Sequence, residues 1–195
     1  MRSYSGGLII TYASTLLPNL LSGMDFLTNF SYGCSEQRTA GLMPILLMKK
    51  ASDRLGIPYD LTKKTIPVYI DAATGYEDRS VDTLIRNYMT DILTFQNEDG
   101  GFAYWQKSGE SDYPLSNILL SAFGELRALG YDVDRKSIDR AIAYLKKEFY
   151  TNQRPYCSGT GCGWSNMERF RTLEAILSLN PDDYEVYKMY LLIGE

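Results

Sequence analysis

The feature of this sequence that most constrains its fold is a helical spacing of apolar residues, which recurs along most of the chain. Apolar side chains three and four positions apart share one helix face, so each such series predicts a helix with a buried side. The successive series are Leu17, Leu20, Leu21, Met24 and Leu27; Leu42, Ile45, Leu46 and Leu55; Val81, Leu84, Ile85, Tyr88, Met89, Ile92, Leu93 and Gln96; Leu115, Leu119, Ala122, Phe123, Leu126 and Leu129; Ile138, Ala141, Ile142, Leu145 and Phe149; Phe170, Leu173 and Leu177; and Tyr184, Tyr187 and Leu191. The sequence therefore predicts an all-α protein.

Residues with strong positional preferences mark the predicted helix ends. Pro44 should kink the second helix, and Gly56 should end it. Asp134 is expected to cap the helix that follows it. Ser165 and Glu168 have the spacing of a capping box, in which each side chain bonds a backbone N–H of the other residue. These local signals divide the helical pattern into separate helices.

Two kinds of corner recur between the predicted helices. Residues 55–60 resemble residues 129–134, and each stretch ends one helix and caps the next. Residues 100–105 and 161–164 are both glycine-rich turns with a tryptophan before a helix. Helix hairpins with similar corners are typical of a solenoid or of a closed ring of helix pairs.

The length favours one helical domain with a short lead-in. Residues 1–12 are strand-like and are interpreted as a lead-in from an upstream domain, whereas residues 13–195 carry the helical pattern without a linker. Hydrophobic residues make up 45% of the chain, which is enough to bury a core. No apolar run approaches the ~20 residues that span a bilayer, and the N-terminus does not resemble a signal peptide.

Two residue counts and the net charge exclude whole classes of chemistry. The chain has no histidine, which excludes Ser-His-Asp and Cys-His catalysis, histidine-ligated zinc and haem, and a histidine pH switch. Its three cysteines are too few for a disulfide scaffold or a four-thiolate zinc site, so we expect no metal and no cofactor. A formal net charge of −4 argues against a nucleic-acid partner.

One segment combines a thiol and a carboxamide at a suggestive spacing. Cys34 is predicted at a helix start, where backbone N–H groups and the helix dipole favour a thiolate. Gln37 lies three positions later, so both side chains fall on the same side of a first helical turn. A carboxamide beside a thiolate can lose ammonia and become a thioester, which survives only where water and amines are excluded. On spacing alone, a buried cysteine beside a surface glutamine is the simpler interpretation.

Residues 33–37, Gly-Cys-Ser-Glu-Gln, resemble the thioester motif Gly-Cys-Gly-Glu-Gln of the alpha-2-macroglobulin and complement family. Three further stretches resemble bacterial members of that family. Residues 14–27 are similar to the helix before the motif, residues 95–105 to its glycine-aromatic turn, and residues 130–145 to the helix pair after that turn. The resemblance covers most of residues 8–150.

The resemblance implies an α/α toroid of helix hairpins, similar to the terpenoid cyclases and protein prenyltransferases, in a complement-like thioester domain. About seven or eight helices are predicted, whereas a closed ring of six hairpins needs about a dozen. We therefore expect an incomplete toroid, either a fragment or a truncated or swapped ring. Self-association that covers exposed helix faces is one expected consequence.

The resemblance also assigns roles in the predicted thioester. Cys34 would supply the sulfur and Gln37 the acyl carbon, with Gly33 and Glu36 as motif neighbours and no firm role for Glu36. The position after the cysteine varies in the bacterial branch and is Ser35 here.

Several aromatic residues and two further cysteines have two open interpretations. Tyr32, Tyr104 and Trp105 are either a shelter that keeps water from the thioester or ordinary core aromatics. Cys157 and Cys162, five positions apart in a glycine-rich stretch, form either a local disulfide or two free thiols.

The function implied by the resemblance is protease inhibition by covalent trapping, in which a lysine amine of the protease attacks the thioester. Each thioester reacts once, so the protein would not be an enzyme. The implied partners are target proteases and other domains of the same protein, and the implied location is the periplasm or the cell surface. Two alternatives remain: a toroid enzyme of the terpene-cyclase or prenyltransferase type, and a chemically silent toroid that binds a partner. The first lacks an acidic protonation motif and a histidine-containing zinc site.

Overall fold

The computed structural model describes residues 33–56, 69–70, 77–78, 81–107, 109–151 and 165–193. The helices in these ranges are α1 (Ser35–Leu55), α2 (Val81–Leu93), α3 (Tyr113–Ala128), α4 (Arg135–Thr151), α5 (Asn166–Leu179) and α6 (Tyr184–Leu191). The strands β1 (Tyr69–Ile70) and β2 (Glu77–Asp78) form one short antiparallel pair. The predicted all-α class is confirmed, because six helices make up nearly all the regular structure of the described ranges. The incomplete toroid stays a prediction.

Two predicted elements, the lead-in at residues 1–12 and the helix around residues 17–27, lie outside the described residues. Of the helices in the described ranges, none combines the length and the apolar character that crossing a bilayer requires.

α1 begins and ends where the sequence predicts. Its N-cap is Cys34, whose extended backbone (φ −75°, ψ 156°) precedes the first helical residue, Ser35. Gly56 follows the helix with a left-handed φ of 61°, and its N–H donates to the carbonyl of Ser52. A left-handed residue at this position favours glycine, which explains the stop. Pro44 lies inside α1 without ending it.

Carboxylate caps start α3, α4 and α6. At α3, Oδ1 of Asp112 accepts the N–H of Leu115 at 2.8 Å. At α4, Oδ2 of Asp134 accepts the N–H of Ser137 at 2.9 Å, which confirms the predicted cap. At α6, Oδ1 of Asp183 accepts the N–H of Glu185 at 3.1 Å. Each bond satisfies an N–H that has no partner inside its helix.

The predicted capping box at the start of α5 forms only in half. Oγ of Ser165 accepts the N–H of Glu168 at 3.2 Å. The carboxylate of Glu168 bonds elsewhere, because its Oε1 accepts from Arg171 at 2.7 Å, and its Oε2 is buried without a hydrogen-bond partner. The reciprocal half of the prediction is therefore wrong, since an arginine three residues on takes the carboxylate.

The predicted series through Gln96 overestimates the length of α2, which ends at Leu93. The N–H groups of Thr94 and Phe95 donate to carbonyls three residues back, each at 3.1 Å. Such bonds tighten the last turn and divert the chain from the helix axis. Gln96 then pairs with Phe102 across the following turn.

α3 is the helix that connects the rest of the core. It packs against α1, α4 and α5, while α2 packs against α1, and α6 against α5. Its fully buried apolar residues include Leu115, Leu119, Leu120, Phe123 and Leu126. α3 therefore joins α1, α4 and α5 in one core.

Candidate functional site

The thiol at the start of α1 is buried and makes no capping bond. Cys34 is 7% exposed and carries a free thiol. Its carbonyl accepts the N–H of Arg38 at 3.0 Å, as an N-cap carbonyl should, but its side chain makes no cap hydrogen bond. The thiol is therefore sheltered from solvent and has no structural hydrogen bond at the helix end.

Gln37 occupies the third position of α1, from which a side chain can reach back to the N-cap, as in a capping box. Its Oε1 is buried and has no hydrogen-bond partner. An unsatisfied buried polar atom costs about 1–3 kcal/mol, so it calls for an explanation. Cys34 and Gln37 thus place an unbonded thiol and an unbonded carboxamide oxygen in the same helical turn.

A remote segment crosses the start of α1 and is bonded to it. The N–H of Ser35 donates to the carbonyl of Tyr104 at 3.0 Å, and Oγ of Ser35 donates to the carbonyl of Ala103 at 2.8 Å. Ser35 and Ala103 are 68 positions apart, and both are at most 1% exposed. The predicted glycine-aromatic turn and the motif at residues 33–37 are therefore direct neighbours.

The turn that delivers this segment depends on a glycine. Gly100 has a φ of 93°, and a Cβ there would lie 2.3 Å from the backbone oxygen of Arg140 in α4. Both conditions exclude other residues without a shift of the backbone. Phe102 follows at 0% exposure, with its ring 5.8 Å from that of Phe123 and its N–H donated to Oγ of Ser116 at 2.8 Å. The turn is thereby fixed to α3 and α4 before it reaches α1.

An open cleft of about 390 Å³ lies beside the motif. Gly33, Arg38, Asp91 and Trp105 line it, together with Phe95 and Gln106. Arg38 and Asp91 form an ion pair at 2.7 Å, with side chains 41% and 48% exposed. The described ranges contain no group of three His, Cys, Asp or Glu side chains arranged to hold a metal ion.

The predicted shelter is only partly described. Tyr104 and Trp105 lie beside the start of α1, but their side chains are 41% and 53% exposed. They therefore border the site and do not belong to the core. Tyr32, Cys157 and Cys162 lie outside the described residues.

The charges around the motif affect the pKa of the Tyr104 phenol. Partial burial raises its pKa, and the carboxylates of Asp112 and Glu36 and the thiol of Cys34 raise it further. Glu36 itself is exposed in the first turn of α1. Tyr104 is therefore protonated and uncharged at neutral pH.

The residues that hold the site together have little or no signal in the sequence. Ser35 bonds the crossing segment, and the Arg38–Asp91 pair joins α1 to α2 at the cleft. The only sequence signal for Ser35 is a hydroxyl residue where the related motif has glycine. No local signal identifies Asp91, because its partner lies 53 positions away.

No protein-family model matches the chain. Among curated proteins, the chain is 31% identical over 112 residues to an alpha-2-macroglobulin of Escherichia coli, and 23% identical over 138 residues to an alpha-2-macroglobulin of Thermotoga maritima. The alignments cover 57% and 71% of this chain. They cover only 6% and 7% of the two relatives, so the chain corresponds to a small part of their length.

A crystal structure of native alpha-2-macroglobulin from Escherichia coli, spanning domain MG7 to the C-terminus, has the same fold over 90% of this chain. The TM-score is 0.59, the sequence identity is 20%, and the match covers 28% of that structure. The two sequence relatives and the structural neighbour are all bacterial alpha-2-macroglobulins, and this chain is similar to part of them in sequence and in fold.

Proposed function

We propose that this chain is the thioester-bearing part of a protease inhibitor of the bacterial alpha-2-macroglobulin type. The thioester joins Sγ of Cys34 to Cδ of Gln37. A protease is trapped covalently when one of its lysine amines attacks this bond. Cleavage of a bait region elsewhere in the full-length protein would expose the thioester to that attack.

The observation that carries this proposal is the pair of unbonded groups in one helical turn. The thiol of Cys34 makes no cap bond, and the amide oxygen of Gln37 is buried without a partner. An ordinary capping box would bond both side chains to backbone N–H groups. Two side chains with this placement and no such bonds are available for a bond to each other.

The formation of the thioester needs no co-reactant. Sγ of Cys34 attacks Cδ of Gln37, a C–S bond forms, and the C–N bond of the carboxamide breaks. The nitrogen leaves as ammonia with the proton of the thiol.

An amine that attacks the thioester breaks it and becomes bonded to the acyl group. The amine nitrogen bonds to Cδ of Gln37, the C–S bond breaks, and the sulfur of Cys34 takes up the proton that the amine loses. The chain holds no histidine that could transfer the acyl group to a hydroxyl. The proposed reaction is therefore direct aminolysis, once per thioester, and not enzymatic turnover.

In this proposal, several aromatic residues and other domains together shield the thioester from water and amines. Tyr104 and Trp105 cover one side of the site, and Tyr32 is proposed as a third member beside the motif. Because Tyr104 and Trp105 are about half exposed here, other domains of the same protein would complete the cover. The proposed location is the periplasm or the cell surface, where bacterial inhibitors of this type meet proteases.

Intact mass spectrometry of the freshly purified chain tests the proposal. We expect a mass lower by one ammonia than that of the sequence. Methylamine should then add one molecule to Gln37 and make Cys34 available to alkylation. Cys34→Ala and Gln37→Asn should each abolish the ammonia loss and the methylamine addition.

A double variant, Cys157→Ala with Cys162→Ala, is the matched control, because it removes the other two thiols and should keep the reactive bond. A mass equal to the sequence, with Cys34 alkylated freely before any amine is added, would contradict the proposal. That result would favour the alternative of a chemically silent toroid that binds a partner.

A further inference from the structure

Ser35 is a buried hydroxyl residue at the position where the related thioester motif has glycine. It is 0% exposed, although serine is mostly a surface residue. A buried hydroxyl is retained at little cost only when it is hydrogen-bonded, and that of Ser35 donates to the carbonyl of Ala103 at 2.8 Å. The residue therefore has a bond that glycine could not make.

The backbone of Ser35 makes a second bond to the same segment. Its N–H, one of the first N–H groups of α1, donates to the carbonyl of Tyr104 at 3.0 Å. Such N–H groups have no partner inside their own helix. One residue thus holds two consecutive carbonyls, which fixes both the distance and the rotation of the segment relative to the helix start.

The other side of this segment is already fixed. The N–H of Ala103 donates to the carbonyl of Phe95 at 3.1 Å, and Phe102 is fully buried against α3. The segment leaves this anchored stretch at Tyr104 and Trp105, which border the motif. Ser35 is the residue that ties this departing end to α1.

We propose that Ser35 is a positioning residue for the thioester. Its hydroxyl holds the segment that carries Tyr104 and Trp105 against Cys34 and Gln37, and so keeps water and amines from the acyl carbon. This inference rests on the proposed thioester. Ser35 would make no contact with the reacting amine and would act through Tyr104 and Trp105, which cover the thioester.

The test compares methylamine uptake by three variants of the chain whose thioester content is first measured by intact mass. Ser35→Ala removes the hydroxyl and keeps the N–H. Ser35→Thr restores a hydroxyl. Thr39→Val is the matched control, since Thr39 is also 0% exposed, and its hydroxyl bonds only the carbonyl of Ser35 within α1.

We expect Ser35→Ala to react about threefold to tenfold faster than wild type, the factor that corresponds to the loss of one hydrogen bond. Ser35→Thr and Thr39→Val should react at the wild-type rate. A merely structural serine would give Ser35→Ala and Thr39→Val the same rate, so equal rates overturn the inference while an intact thioester leaves the proposed function standing. If the wild type contains no thioester, both proposals fail.

Amide hydrogen exchange of the wild-type chain provides a measurement that does not depend on the folding of a variant. The N–H of Ser35 should exchange slowly while the thioester is intact, because it is donated to Tyr104. Fast exchange, as expected for a free N–H at a helix start, would overturn the inference.

Discussion

Two clusters of buried polar side chains differ in how fully they are hydrogen-bonded. The bonded cluster consists of Tyr113, Asn117 and Thr172, where α3 packs against α5. In this cluster, the hydroxyl of Thr172 bonds the hydroxyl of Tyr113 and donates to Oδ1 of Asn117 at 3.0 Å. The site cluster consists of Cys34 and Gln37, whose thiol makes no cap bond and whose amide oxygen has no partner.

The difference is the one expected between a structural arrangement and the proposed reactive one. A buried polar group that bonds a neighbour stabilises the fold modestly, whereas an unbonded one costs free energy. The contribution of the bonded cluster to stability therefore explains why its polar groups are buried. The site cluster makes no such contribution. A cost retained at one helix start indicates that the two side chains serve another purpose, and the proposed thioester provides it.

The largest expected effect comes from the turn that holds the site cluster in place. Gly100→Ala puts a Cβ 2.3 Å from the backbone oxygen of Arg140, on a backbone with φ 93°. We expect it to destabilise the chain by about 3 kcal/mol and to lower the thioester content, since the segment at residues 103–105 must shift. Urea unfolding and intact mass measure the two effects.

Gly109→Ala is the matched control for this change. Gly109 has a similar φ of 97°, but a Cβ there would meet no atom within 4 Å. It should cost about 1 kcal/mol of backbone strain and leave the thioester unchanged. If both variants lose equal stability, close packing of the turn against α4 does not support the site.

Thr172→Val tests the bonded cluster directly. The change keeps the shape of the side chain and removes the hydroxyl shared by Tyr113 and Asn117, both of which are at most 1% exposed. We expect a loss of about 2 kcal/mol in unfolding free energy, because two buried groups lose a partner. Thr39→Val removes a hydroxyl bonded only to its own helix and should cost less than half as much. Equal losses would show that the cluster is not a shared network.

The helices could be predicted from the sequence because their signals are local. Apolar spacing, the glycine after α1 and the carboxylate of Asp134 each act within a few residues of the boundary that they set. The errors arose where a second local partner competes. Arg171 takes the carboxylate of Glu168, and tight bonds after Leu93 end α2 although the apolar spacing continues.

The site could be predicted only in its residue types and its spacing. Cys34 and Gln37 are adjacent on one helix turn, so their relation is local. The bonds from Ser35 to Ala103 and from Arg38 to Asp91 join residues 68 and 53 positions apart, which depends on how α1, α2 and the turn pack together. The exposure of Trp105 is likewise a result of packing, which no pattern within its own segment determines.

High pH tests the bonded cluster by a smaller effect, through the phenol of Tyr113. Burial raises the pKa of Tyr113 to about 12, whereas an unfolded tyrosine titrates near about 10. The native state then holds a proton that the unfolded chain loses. This contribution to stability is complete below about pH 10 and is lost as the pH rises toward about 12, at about 1.4 kcal/mol per pH unit.

Urea unfolding at about pH 9 and about pH 11 measures this slope. Burial also raises the pKa of Tyr131 and Tyr144, so the wild type should fall more steeply than one group predicts. The difference between wild type and Tyr113→Phe isolates the share of Tyr113. If the unfolding free energy of both proteins falls equally with pH, Tyr113 does not contribute to the pH dependence of stability.

The smallest expected effect decides the comparison. Gln37→Met keeps the length of the side chain and removes the unbonded oxygen, so it should raise the unfolding free energy by about 1 kcal/mol, the lower end of the cost of such an atom. The measurement belongs in a Cys34→Ala background, where no thioester can form and stability alone is read. A loss of about 2 kcal/mol, equal to that of Thr172→Val, would mean that Gln37 is bonded and structural. In that case the two clusters are of one kind, and the case for a reactive helix start loses its support. A small gain in stability, together with loss of methylamine uptake when Cys34 is present, leaves chemistry as the role of Gln37.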